Sequence, residues 1–166
     1  MMVTSHLVVG AAAWAVAARL GGGSAAELPG LVAAMAGALL PDLDHPSSWV
    51  GRRLRPLSVP LSMLLGHRGL SHSLIAVVAG LWALNTWGIG GDDGGGWTGL
   101  PAPLAVGYLS HLAADGLTPA GVPLLWPIKR RFCLPLCRTG SPIEIAVVAM
   151  IVAAGLWAAG LLLTGW

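Results

Sequence analysis

Apolar and polar positions divide the chain into five apolar runs joined by short polar segments. The first, His6 to Leu20, is rich in Ala and Val and ends at Gly21-Gly22-Gly23-Ser24. Leu28 to Leu40 is the second, stopped by Pro41, which cannot continue a helix without losing a hydrogen bond. Leu74 to Trp87 is the third, with Ser71 or Ser73 as its N-cap. A Gly-rich turn carrying Asp92 and Asp93 leads to the fourth, Leu100 to Leu117. The fifth and most purely apolar is Ile145 to Trp166.

Crossing the hydrocarbon of a bilayer takes about 20 helical residues, and only the fifth run reaches that length unaided. The others lengthen by several residues if their polar ends sit in a protein-lined pocket. Small-residue stretches such as Ala11-Ala12-Ala13 and Ala36-Gly37-Ala38 suit close helix packing in lipid. The first run starts almost at Met1 with no basic stretch ahead of it, so it is expected to stay as a helix rather than be removed as a leader.

Composition sharpens this picture. Charged residues make up 10% of the 166 and apolar ones 55%, against about 25% charged in soluble domains. The expectation is an all-α protein, a polytopic membrane helical bundle of about five transmembrane helices, forming a single domain over residues 1–166. No basic domain or aromatic RNA-binding motif points to nucleic acid. Cys133 and Cys137, with Pro135 between them and no second pair, fit neither a zinc ribbon nor a disulfide framework.

On five alternating spans the polar residues sort to one side. His6 opens the first helix, and Asp42, Asp44 and His45 end the second. His67 and His72 precede the third, His111 and Asp115 lie late in the fourth, and Glu144 precedes the fifth. The same side receives Arg52, Arg53, Arg55, Arg68, Lys129, Arg130, Arg131 and Arg138, leaving only Arg19 elsewhere. By the positive-inside rule that side is cytoplasmic, with the N-terminus and the polar site facing in.

All five histidines belong to this set, which raises a metal centre above incidental polar groups. His111 and Asp115 are spaced i, i+4 and share a helix face; ionisable groups at such depth are costly and usually functional. In His67-Arg68-Gly69-Leu70-Ser71-His72 a turn at Gly69 lets two imidazoles converge. Asp42 and Asp44, two apart between Pro41 and Pro46, are expected in extended backbone with both carboxylates pointing one way. A divalent cation would relieve their mutual repulsion. His6 and His45 complete the candidate ligands. Mixed His and Asp donors favour zinc, with manganese or iron as alternatives. The number of donors allows one or two ions, bridged by Asp42 or Asp44. Such an ion activates water for hydrolysis. Arg52, Arg53 and Arg68 could bind an anionic head group. No nucleophile elbow, HExxH or P-loop is present.

These motifs, in the order His6, Gly37-Ala38-Leu39-Leu40-Pro41-Asp42-Leu43-Asp44-His45-Pro46, His67-Arg68-Gly69-Leu70-Ser71-His72-Ser73 and Gly107-Tyr108-Leu109-Ser110-His111-Leu112-Ala113-Ala114-Asp115, resemble the YdjM-like family of inner-membrane metal-dependent hydrolases. The resemblance covers most of residues 1–144. It is also distantly similar to zinc-dependent phospholipase C proteins in its order of ligands. The family resemblance implies an inner-membrane, metal-dependent hydrolase; the phospholipase C similarity and the apolar setting point to a phosphoester of a lipid or lipid-linked molecule as its substrate. Asp44 and Glu144 are its candidate catalytic carboxylates, and for Glu144 metal binding, a base role and helix capping all stay open. The rival expectations are a regulatory or structural membrane protein stabilised by its metal, and a metal or proton transporter.

Overall fold

The computed structural model describes residues 1–21, 27–65, 69–89, 99–128, 130–158 and 160. Among these the regular structure is helical, apart from one isolated antiparallel bridge between Val122 and Phe132. The helices are α1 (Val3–Leu20), α2 (Leu28–Gly37), α3 (Trp49–Arg53), α4 (Arg55–Leu65), α5 (Leu74–Thr86), α6 (Pro101–Gly116) and α7 (Pro142–Ala158). Two 3-10 turns, Leu40–Asp44 and Leu70–His72, carry site residues between them.

All five apolar runs match their helices to within three residues at the ends that are described. The second differs at its C-terminal end, where α2 stops at Gly37, short of Leu40. Pro41 has no N–H to donate, so the chain tightens into the 3-10 turn Leu40–Asp44 instead of completing another α-turn. Ser73 is the N-cap of α5, with its hydroxyl accepting from Ala76 N. By length and composition, one helix among the described residues, α1, can cross a membrane unaided. At 13 and 17 residues, α5 and α7 are shorter apolar helices. The Arg-rich segment between the second and third runs, for which no element was expected, is helical, as α3 and α4. Pro56 sits near the start of α4, and Pro60 is tolerated within it.

Small residues set the packing. α2 packs on α6, and α1 on both. A Cβ at Gly107 would lie 1.9 Å from the Ala34 carbonyl oxygen, and one at Gly37 would lie 2.2 Å from that of Leu104. A Cβ at Gly10 of α1 would lie 2.8 Å from the Cβ of Ala38, the residue that follows α2. Trp14, Ala18 and Ala34 fill the core between these helices, while α7 lies against the outer side of α1.

The segment after α6 folds back over the end of that helix. Leu134 N donates to Gly116 O, and Leu136 N donates to Leu117 O. The last carbonyls of α6, which a helix cannot satisfy itself, are thereby covered. Thr118 Oγ1 closes the same end by donating to Asp115 O at 2.8 Å. The C-terminal end of α6, the one bearing the site, is thus tied down by these bonds.

Candidate metal centre

The site forms where the N-terminal turns of α1 and α7, the C-terminal half of α6 and the two 3-10 turns meet. Its middle is Asp115. His6 Nε2 lies 3.3 Å from Asp115 Oδ1, while His111 Nε2 and His72 Nε2 lie 3.6 and 3.8 Å from Oδ2. The Met1 amine approaches Oδ1 at 2.5 Å. The His6 and His111 rings stack at 3.7 Å between centroids, and His72 meets His111 edge-on at 5.4 Å. All four side chains are buried.

Two overlapping groups have ligand atoms close enough to hold a metal ion: His6, His111 and Asp115, and Asp42, His72 and His111. The donor chemistry fits a divalent cation. His111 Nε2 and His6 Nδ1 are buried with no hydrogen-bond partner, an arrangement that costs free energy unless something fills it.

Proton positions follow from the surrounding bonds. His111 Nδ1 lies 2.7 Å from Ala38 O, and a carbonyl only accepts, so the proton sits on Nδ1 and the lone pair on Nε2. Ser71 Oγ donates its single hydrogen to Asp44 Oδ2 at 2.6 Å, so it accepts from His72 Nδ1 at 3.0 Å. His72 therefore also presents the Nε2 lone pair. This is how partners of metal-binding imidazoles commonly fix ring orientation.

The two aspartates of the acidic turn do not point the same way. With about three residues per 3-10 turn, positions two apart diverge by roughly 240° rather than sharing a side. Asp42 reaches the cluster, whereas buried Asp44 is bound by Ser71 and belongs to neither group. The carboxylate facing three imidazoles is Asp115, not the Asp42–Asp44 pair. His45 also lies outside both groups, with Nδ1 at 2.8 Å from Ser47 Oγ. His67 and Arg68 fall outside the described residues. Arg52 and Arg53 are exposed, and the Arg53 guanidinium lies 3.8 Å over the Trp49 ring.

Glu144 is wholly buried and accepts from three donors: Met2 N and Ser5 Oγ, each at 2.6 Å, and Gly140 N at 2.7 Å. It ties the start of α1, which carries His6, to the turn before α7. Cys137 lies nearby, and burial, with a smaller contribution from Glu144, pushes its thiol pKa up.

Ser71, Ser5, Tyr108 and the Ala38 carbonyl were missed as site-supporting groups. The Tyr108 hydroxyl donates to Ser71 O. The adjacency of Ser71 to His72 and of Ser5 to His6 was a usable signal; nothing local marks Ala38 O, because its role arises only when α2 meets α6.

Beyond the cluster, an apolar groove of about 290 Å³ runs between α5 and α6. Leu40, at the start of the acidic turn, and Tyr108, one turn before His111, both line it, along with Gly80, Leu84 and Leu104.

The sequence profile of the family described as YdjM inner membrane protein matches residues 1–166. The inner membrane protein YdjM of Escherichia coli (strain K12) is 43% identical over 125 residues, covering 72% of this chain and 61% of that relative. Its counterpart in Shigella flexneri matches with the same figures. The chain thus spans about three fifths of the length of these two relatives. The uncharacterized protein YvsG of Bacillus subtilis (strain 168) is 37% identical over 114 residues, 68% of this chain and 67% of that protein. No solved structure matches.

Proposed function

The chain belongs to the YdjM inner membrane protein family, and from that premise we propose that it is a membrane-embedded, metal-dependent hydrolase acting on a phosphoester of a lipid or lipid-linked molecule. The observation that carries this reading is the convergence of His6, His72 and His111 on Asp115 in a buried pocket, with bare nitrogens on His6 and His111. A divalent cation bound there, zinc by the donor set, would supply Lewis acidity and an activated water.

The residues divide the remaining work. Ala38 O and Ser71 hold His111 and His72 in the tautomer with the proton on Nδ1. Because His111 Nδ1 is committed to Ala38 O, this ring offers one lone pair, which favours a single ion drawing on both groups over two ions that share His111. Asp42 adds a carboxylate from the acidic turn. Asp44 acts through Ser71. The three donors on Glu144 favour a clamp that positions His6 over a general base. The groove between α5 and α6 suits the apolar part of a lipid-linked substrate, since it ends beside Leu40 and Tyr108 at the edge of the cluster.

The five-span arrangement with the site facing the cytoplasm belongs to the same proposal. Its support is that Arg52, Arg53 and Arg55 on α3 and α4, and Arg130, Arg131 and Arg138 in the segment over the end of α6, gather near the cluster while Arg19 lies at the other end of α1. Positive charge accumulates on the cytoplasmic side.

One observation favours a second reading. The candidate ligands come from α1, α6 and both 3-10 turns, so an ion would also staple these segments and stabilise the fold without turnover. Purified protein loaded with zinc or manganese, and its His111→Ala and Asp115→Ala variants, separates the two. Hydrolysis of a phosphomonoester, phosphodiester and lipid-phosphate panel, lost together with bound metal in both variants, supports the enzyme. Bound metal that raises thermal stability with no cleavage of any substrate leaves the staple. Absence of bound zinc, manganese and iron removes both readings.

A further inference from the structure

The helices α3 and α4 stand apart from the bundle in character. Residues 46–65 carry Arg52, Arg53 and Arg55 and no acidic residue. At 1.5 Å per residue α4 is about 16 Å long, roughly half of the ~30 Å hydrocarbon thickness. It is therefore too short to span.

One side of α4 is firmly seated. Ser58 is fully buried, and Gly51 of α3 presses against it, so that a Cβ at Gly51 would lie 2.9 Å from Ser58 Oγ and 2.0 Å from His45 O. At 3.6 residues per turn, Leu57, Met63 and Leu64 fall on the arc opposite Ser58. Their exposures are 57%, 81% and 80%. Trp49 on α3 is 42% exposed beneath Arg53.

Apolar side chains this exposed need a cover, and charge identifies it. Three exposed arginines lie in the same segment as the apolar arc, with no acidic residue among them, and an aromatic ring lies under one of the guanidinium groups. An in-plane amphipathic helix at a bilayer surface has this composition: apolar residues at the acyl boundary, basic residues on anionic headgroups and Trp at the interface. We propose that α3 and α4 form an interfacial foot on the anionic lipid leaflet, with Leu57, Met63 and Leu64 immersed and Arg52, Arg53 and Arg55 on phospholipid headgroups. These arginines thus read the bilayer surface rather than a substrate in the pocket. Both helices pack on the 3-10 turn Leu40–Asp44, so the foot fixes the depth at which Asp42 meets the membrane surface.

The test uses the full chain in vesicles, in a Cys133→Ser background that retains buried Cys137. Nitroxides are attached at Met63→Cys or Leu64→Cys, with Thr139→Cys as an exposed loop reference. In vesicles containing phosphatidylglycerol, Met63 and Leu64 positions collide with oxygen and lose the nickel-chelate access seen at the reference. Chelate access returns when phosphatidylglycerol is replaced by phosphatidylcholine, or when Arg52→Gln, Arg53→Gln and Arg55→Gln are combined. Full chelate access at both positions in anionic vesicles would overturn the proposal, as would spin–spin broadening showing that a second copy covers the face. Indifference to lipid charge and to the arginine changes removes the anionic-lipid assignment. None of these readouts depends on metal binding or hydrolysis.

Discussion

The two sides of α6 are packed on different terms. Towards α2 the backbones nearly touch, because Gly37 and Gly107 leave no room even for a methyl group against the Leu104 and Ala34 carbonyls. Towards α5 there is space: Gly80 has nothing within 4 Å of where its Cβ would sit, and the groove opens there. His111 and Asp115 are placed by the tight side, since α2 supplies Ala38 O to His111 and α1 brings His6 onto Asp115. Small residues that let backbones meet are the usual means of association in lipid, where apolar surface alone gives little drive. The contrast separates rigidity, concentrated where ligand geometry must be kept, from capacity, left where an apolar ligand can enter.

Breaking the tight side has the largest expected effect. Gly107→Leu must push α2 off α6, an overpacking that costs about 3 kcal/mol or more. Thermal unfolding should fall sharply, and bound metal with it, because Ala38 O is drawn away from His111. A variant that keeps native stability and metal content would show that the seam does not hold the centre. Next comes Ser71→Ala, which leaves the packing intact but removes the bridge between Asp44 and His72. Loss of such a supporting partner lowers metal affinity about 10–100-fold, measurable by chelator competition; an unchanged affinity would separate His72 from the centre. The smallest change in stability belongs to the open side. A Cβ at Gly80 meets no atom, the groove has room beyond it and leucine gains helix propensity, so for Gly80→Leu stability should stay within about 1 kcal/mol of the parent. Its consequence is selective: turnover of a long-chain lipid phosphate drops while that of a short water-soluble phosphoester is kept. Equal loss on both substrates would remove the groove from substrate binding.

Much of this arrangement was legible in the residues. The i, i+4 spacing of His111 and Asp115 fixed a shared face because α6 is regular there, and three of the five histidines placed at run ends, His6, His72 and His111, meet in one buried cluster. The acidic turn was misjudged in one respect. Prolines at 41 and 46 excluded an α-helix but did not distinguish extended backbone from a 3-10 turn, and that choice decides whether Asp42 and Asp44 converge or part. The helices α3 and α4 escaped notice because proline and arginine mask their periodicity, and because Gly51 and Ser58 seat against each other and against the preceding turn only once the chain is folded. The central place of Asp115 required knowing that α1 and a 3-10 turn each bring a further imidazole to the carboxylate that His111 already shares a face with, which no local spacing encodes.

The early end of α2 has a consequence for ring chemistry. Had the helix run one turn further, the amide of residue 42 would have claimed the carbonyl of Ala38; proline at 41 and the tightened turn send that amide to Leu39 O instead. The carbonyl so released is the one that chooses the tautomer of His111. An unfinished helix thus does more than make way for a polar turn: its leftover acceptor sets where a proton rests on a ring from another helix. Helix length and imidazole tautomer, ordinarily separate properties, are coupled here through a single oxygen atom.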